Sequence, residues 1–121
     1  MQELEIAVNA GLPKRSLVLL SSRLYCDDRA ASAFKFQVIP PATWRRRTRR
    51  LSRQESERIE RLARTLVDVE YVFDDRDEAR RWMSATHREL NGKTPIEAAR
   101  TEIGARRVEA VLNTLFFRLP L

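Results

Sequence analysis

The sequence predicts an all-α fold, with a basic N-terminal helical bundle joined by a long helix to a small C-terminal helical domain. Three observations predict it. Apolar residues recur every three or four positions from Ile59 to Phe73, the period of a one-sided helix. Ser52 with Glu55, and Thr94 with Glu97, each form the pattern in which two side chains satisfy two orphan amides at a helix start. Only three glycines occur in 121 residues and strand-like alternation is scarce. Apolar residues make up 43% of the chain, which argues against disorder and allows a core without metal or disulfide staples.

The elements follow in order. Pro13 fits the first turn of a helix, where its missing N–H costs nothing, and Leu17, Leu20 and Leu24 then share a face. Asp27 and Asp28 cap a second helix carrying Ala30, Ala31, Ala33 and Phe34. It should stop near Phe36, because Pro40 and Pro41 forbid its continuation. Pro41 opens a third helix predicted to run through the arginines to Arg50. Behind the Ser52 box, Ile59, Leu62, Ala63, Leu66, Val69 and Phe73 mark the longest helix, over about residues 53–73. Asp74–Asp77 interrupts, and a short helix turns Ala79, Trp82 and Met83 inward. Asn91-Gly92 is a turn. Thr94 caps the next helix, Pro95 takes its first position, and Gly104 is expected to close it in a left-handed conformation. The last helix runs from about Ala105, with Val108, Val111, Leu112, Leu115 and Leu119 as its apolar stripe.

Charge divides the chain. Residues 1–54 carry eleven Lys and Arg against four Asp and Glu, and residues 55–121 carry twelve against thirteen, so the whole excess of +6 lies in the first part. The expected organisation is therefore a polyanion-binding region over 1–54 and a domain of different purpose over 55–121, with the long helix shared. Cys26 is alone, which excludes a disulfide framework and a thiolate metal site, and it is expected to be half-buried. Glu3 and Glu5 stand where a secretory signal would be basic, and Leu17–Leu20 is too short to span a membrane, so the cytoplasm is the expected location.

Two short helices joined by a tight turn, the second one basic, are the parts of a helix-turn-helix. Asp27–Phe36 would be the first helix and Pro41–Arg50 the recognition helix. Thr43 lies in the first turn of the recognition helix, and Arg45, Arg46, Arg47, Arg49 and Arg50 can reach phosphates or a guanine edge. Neutralising about six phosphates would give a log–log salt slope of about −5. The competing reading is a solvated arginine face paired with Glu55, Glu57 and Glu60.

No catalytic constellation, metal site or cofactor motif is evident. His87 is the only histidine and lacks a cysteine cluster or a nucleophile with an orienting partner, so it is expected in a loop or cap. Asp74, Asp75, Asp77 and Glu78 lack the spacing of a calcium loop and suit a helix start. On the last helix, Phe117 lies nine residues past Val108, opposite the apolar stripe, on a face shared with Arg106 and Asn113. An aromatic beside an arginine marks a binding hot spot. The alternative is a frayed end folded back on the domain. The apolar tail at Leu119 and Leu121 favours binding.

The run from Val72 to Leu112 resembles the toxin-binding domain of the Xre/MbcA/ParS antitoxins. The resemblance rests on Phe73, Ala79, Trp82-Met83, Leu90-x-Gly92, Pro95, Thr101, Gly104 and Val108-x-x-x-Leu112. Upstream, "RLSRQESERIERLAR" is similar to the family's joining helix, and "GLPKRSLVLLSSRL" with "IPPATWRRRTRR" to its Xre-like helix-turn-helix. The chain departs from the family at Thr86-His87, where relatives carry Pro-Asn, and at the terminal "FFRLPL", where a glycine is usual. The resemblance implies a non-enzymatic antitoxin without cofactor, whose C-terminal domain covers the active site of an NAD+-consuming RES-domain toxin. It implies that the N-terminal part represses its own operon as a homodimer on operator DNA. Under this reading Arg106, Asn113, Phe117, Arg118, Leu119 and Leu121 contact toxin. Two alternatives stay open: a stand-alone helix-turn-helix regulator, and a toxin-binding module with vestigial DNA binding.

Overall fold

The computed structural model describes residues 2–117, and every regular element among them is helical. The chain divides between Glu60 and Arg61 into two compact units.

The first unit contains α1 (Gln2–Ala10), α2 (Lys14–Leu24), α3 (Asp28–Val38), α4 (Pro41–Arg46) and the beginning of α5 (Arg53–Phe73). α1 is absent from the sequence reading. It turns back at Gly11, whose φ of +92° suits glycine and whose missing Cβ leaves room for the Leu51 carbonyl. Pro13 is the N-cap of α2 and not its first helical residue. Leu17, Leu20 and Leu24 are buried as their spacing requires, and α2 packs on α3. Asp27 caps α3, its carboxylate accepting from the Arg29 amide at 3.2 Å. α3 runs two residues past the expected stop, to Val38, and Ile39 turns extended before the two prolines. Cys26 is exposed, contrary to the half-buried placement expected of it.

The largest departure concerns the arginines. α4 is six residues long and ends at Arg46, so Arg47, Arg49 and Arg50 are not on a recognition helix. The cause is long-range pairing. The Lys14 amide donates to the Arg49 carbonyl, the Leu51 amide to the Leu12 carbonyl, and Pro13 and Arg50 form an isolated antiparallel bridge. These bonds hold residues 49–51 against the Leu12–Lys14 segment and outside the helix. The fully buried Ser56 completes the join, its Oγ accepting from the Leu12 amide at 2.8 Å.

The second unit contains the remainder of α5, α6 (Arg76–Ser84), a single 3-10 turn at Arg88–Leu90, α7 (Pro95–Ala98) and α8 (Glu102–Phe117). Leu62, Leu66 and Val69 of α5, Ala79 and Met83 of α6, Ile96 of α7, and Val108, Val111 and Leu112 of α8 are buried. α7 packs against both α6 and α8. The Thr94 and Glu97 box forms in both directions. Gly104 does not close α7. It sits inside α8, where an added Cβ would collide with the Ala98 carbonyl oxygen. α8 therefore starts before Ala105, and the Thr101 hydroxyl accepts from the Gly104 amide at 3.0 Å as its cap. Leu115 is 47% exposed and leaves the expected stripe, while Phe116 meets Phe73 edge-on at 4.8 Å between centroids. Leu119 lies outside the described residues.

Candidate functional site

The basic face of the first unit is built around α4. Pro41 opens the helix at a position that needs no amide. Thr43 is half-buried and its hydroxyl accepts from Arg46 Nη2 at 3.1 Å. Arg45 and Arg49 are exposed, and their guanidinium groups carry no hydrogen bond or ion pair among the described residues. Two other guanidinium groups are occupied. Arg47 donates to both Glu55 carboxylate oxygens, at 3.2 and 3.3 Å. Arg50 donates to the Gly11 carbonyl at 2.8 Å. Of the pairings expected for a solvated arginine face, Arg47 with Glu55 forms, while Glu57 pairs with Arg53.

Glu55 is central to this end of the chain. It accepts from the Ser52 amide at 2.7 Å while pairing with Arg47. Partial burial pushes its carboxyl upward, but the Ser52 amide, the Ser52 hydroxyl and Arg47 outweigh it and hold the pKa below the ordinary value.

Two lysines that the sequence reading passed over belong to the same face. Lys14 Nζ donates to the Trp44 carbonyl at 2.8 Å and lies 4.2 Å from the Trp44 ring centroid. Lys35 Nζ lies 4.8 Å from the same ring. Their separation in sequence left no local signal. The clue that was available is that no acidic residue occurs between Asp28 and Glu55.

In the second unit Arg106 and Asn113 lie on one face of α8, Arg106 exposed and Asn113 half-buried. Arg106 reaches Glu102 only at 3.9 Å. The Phe117 side chain, and Arg118, Leu119 and Leu121, lie outside the described residues. A cleft between α5 and α8 is lined by Arg64, Thr65, Asp68, Glu102, Arg106 and Glu109. Burial and the neighbouring Glu109 push the Asp68 carboxyl up, against the pull of Arg64. Arg61 fastens α7 in place by donating to the carbonyls of Ala99 and Arg100 at 3.2 and 3.1 Å. His87 stands in a loop, its Nε2 donating to the Trp82 carbonyl at 2.9 Å and its ring against the indole at 4.7 Å. Among the described residues no group of His, Cys, Asp and Glu could hold a metal ion, and no helix is long and apolar enough to cross a membrane.

Comparison with known proteins follows this division. Residues 3–64, just over half the chain, match the Antitoxin Xre-like helix-turn-helix domain, and residues 68–117 match the Antitoxin Xre/MbcA/ParS C-terminal toxin-binding domain. The chain belongs to the Xre-type antitoxin family. Antitoxin Xre of Pseudomonas putida KT2440 is 34% identical over 79 residues, which are 63% of this chain and 50% of that protein. The chain thus spans half the length of this curated Xre relative. The helix-turn-helix match takes in α1 to α4 and part of α5, including the lysines around Trp44. The toxin-binding match begins on α5 at Asp68 and includes Trp82, Gly104 and the whole of α8.

Proposed function

We propose that this chain neutralises an NAD+-consuming RES-domain toxin by covering its active site, and represses its own operon by binding operator DNA. The observation that carries the proposal is the pairing of the two family matches with the division of charge. All the excess positive charge lies in the helix-turn-helix part. Arg106, Asn113, Phe117, Arg118, Leu119 and Leu121 would meet the toxin, consistent with an exposed Arg106 whose ion pair is long. Thr43 and the exposed heads of Arg45, Arg46 and Arg49 would meet DNA, and Arg47 and Arg50 would join them by leaving their present partners. DNA contacts fall in residues 1–54 and toxin contacts in residues 55–121. A homodimer would suit a palindromic operator with half-sites about one helical turn apart, in the cytoplasm where operator and toxin are found.

The test uses the purified product of the adjacent reading frame. Its NAD+ consumption should fall to background as the chain is added, and Phe117→Asp should weaken that inhibition. Consumption unaffected by excess chain would contradict the proposal, and the stand-alone regulator would take its place.

A further inference from the structure

We propose that Lys14 and Lys35 bind DNA phosphates, and that the Trp44 ring is the post that sets both ammonium groups beside the recognition helix. The inference rests on the DNA-binding reading and names further residues of that surface. Lys14 opens α2, Lys35 lies in the last turn of α3 and Trp44 is in α4, so three helices contribute. Two ammonium groups gather on one ring, at 4.2 and 4.8 Å from its centroid, and Lys35 lies 4.7 Å from the Phe36 ring as well. The negative faces of the rings hold the cations there.

What is missing is a counter-charge. Neither lysine has a carboxylate partner among the described residues, and no acidic residue occurs in the sequence from Arg29 to Gln54. Two like charges held together without an anion repel each other, and a phosphate relieves that repulsion. The aromatic contacts fix position without neutralising charge. Arg47 differs in this respect, since the Glu55 carboxylate neutralises it. The ring is not an open platform for an unpaired base, because two ammonium groups lie over it. Backbone phosphates of duplex DNA are therefore the ligand, and Trp44 is a positioning residue.

The experiment is fluorescence anisotropy of the full chain with two labelled duplexes of equal length. One carries the sequence upstream of its own reading frame and the other is random, and both are titrated at several salt concentrations. Lys35→Gln is the principal variant, since Lys35 makes no hydrogen bond whose loss would disturb the fold. Its log–log salt slope should be shallower than wild type by about 0.9, with affinity reduced equally for both duplexes, and Lys35→Arg should restore the slope. Trp44→Phe should keep the wild-type slope and Trp44→Leu should lower it. If Trp44→Leu fails to fold, the Lys35 pair decides alone. An unchanged slope in Lys35→Gln, alongside a reduced slope in Arg45→Ala, would overturn this inference and leave DNA binding intact. A loss confined to the upstream duplex would also overturn it, by making Lys35 a base-reading residue. A wild-type chain without salt-dependent duplex binding would overturn both readings.

Discussion

Gly104 is held to glycine by the Ala98 carbonyl, which occupies the space a Cβ would need at the start of α8. Gly104→Ala should destabilise the second unit by about 1–3 kcal/mol, measured as a fall in the urea midpoint. The position was legible as a required glycine, but for the wrong reason. A glycine after a capped helix reads locally as a left-handed stop, and only the return of Ala98 shows that close approach is the constraint. Two carboxylates make opposite pH predictions. The folded pKa of Glu55 is lowered, so the stability it contributes is present above its ordinary value of 4.5 and is lost as pH falls through the folded value. The advantage of wild type over Glu55→Gln should therefore shrink on acidification below that range. Asp68 is raised, so stability falls as pH rises from its ordinary 3.8 through the folded value. Asp68→Asn should match or exceed wild type at neutral pH, and the difference should vanish below 3.8. Arg64, Glu102, Arg106 and Glu109 share the cleft with it, and chemical denaturation across the pH range reads both effects.

At the scale of elements, helix starts whose caps form a recognisable local pattern were legible, whereas the Thr101 cap of α8 and the elements fixed by distant backbone were not. The Ser52 and Thr94 boxes, the Asp27 cap and the three-four spacing on α5 are local, so the sequence contains all their partners. α1 was missed because Leu4, Ile6 and Val8 alternate with a period of two, and Val8 is its buried hydrophobic residue. α4 was drawn too long because its end is set by bonds to Leu12 and Lys14, more than thirty residues away. The join around Ser56 is consequently the sensitive point of the first unit. Ser56→Ala leaves the Leu12 amide without its acceptor and should cost about 1–3 kcal/mol. Ser52→Ala should cost about 1 kcal/mol through loss of the cap. Both are read from thermal or urea unfolding, and a neutral Ser56→Ala would show that the arginine segment is held by other contacts.

For the molecule as a whole, composition separated a basic part over 1–54 from a nearly neutral remainder, while the helix-turn-helix match runs to residue 64 and the toxin-binding match covers 68–117. The content of the basic face was less accessible. The sequence displays five crowded arginines, whereas the fold ties up Arg47 and Arg50 and brings in Lys14 and Lys35 from other helices. In a reporter strain, Arg45→Ala with Arg46→Ala should abolish repression of the chain's own promoter while leaving toxin neutralisation intact. The most direct test of the central claim is intracellular NAD+ after induction of the adjacent reading frame, with and without this chain. The account predicts collapse of NAD+ when the frame is induced alone and preservation when the chain is present. NAD+ that never moves, or that collapses equally in both cases, would contradict it.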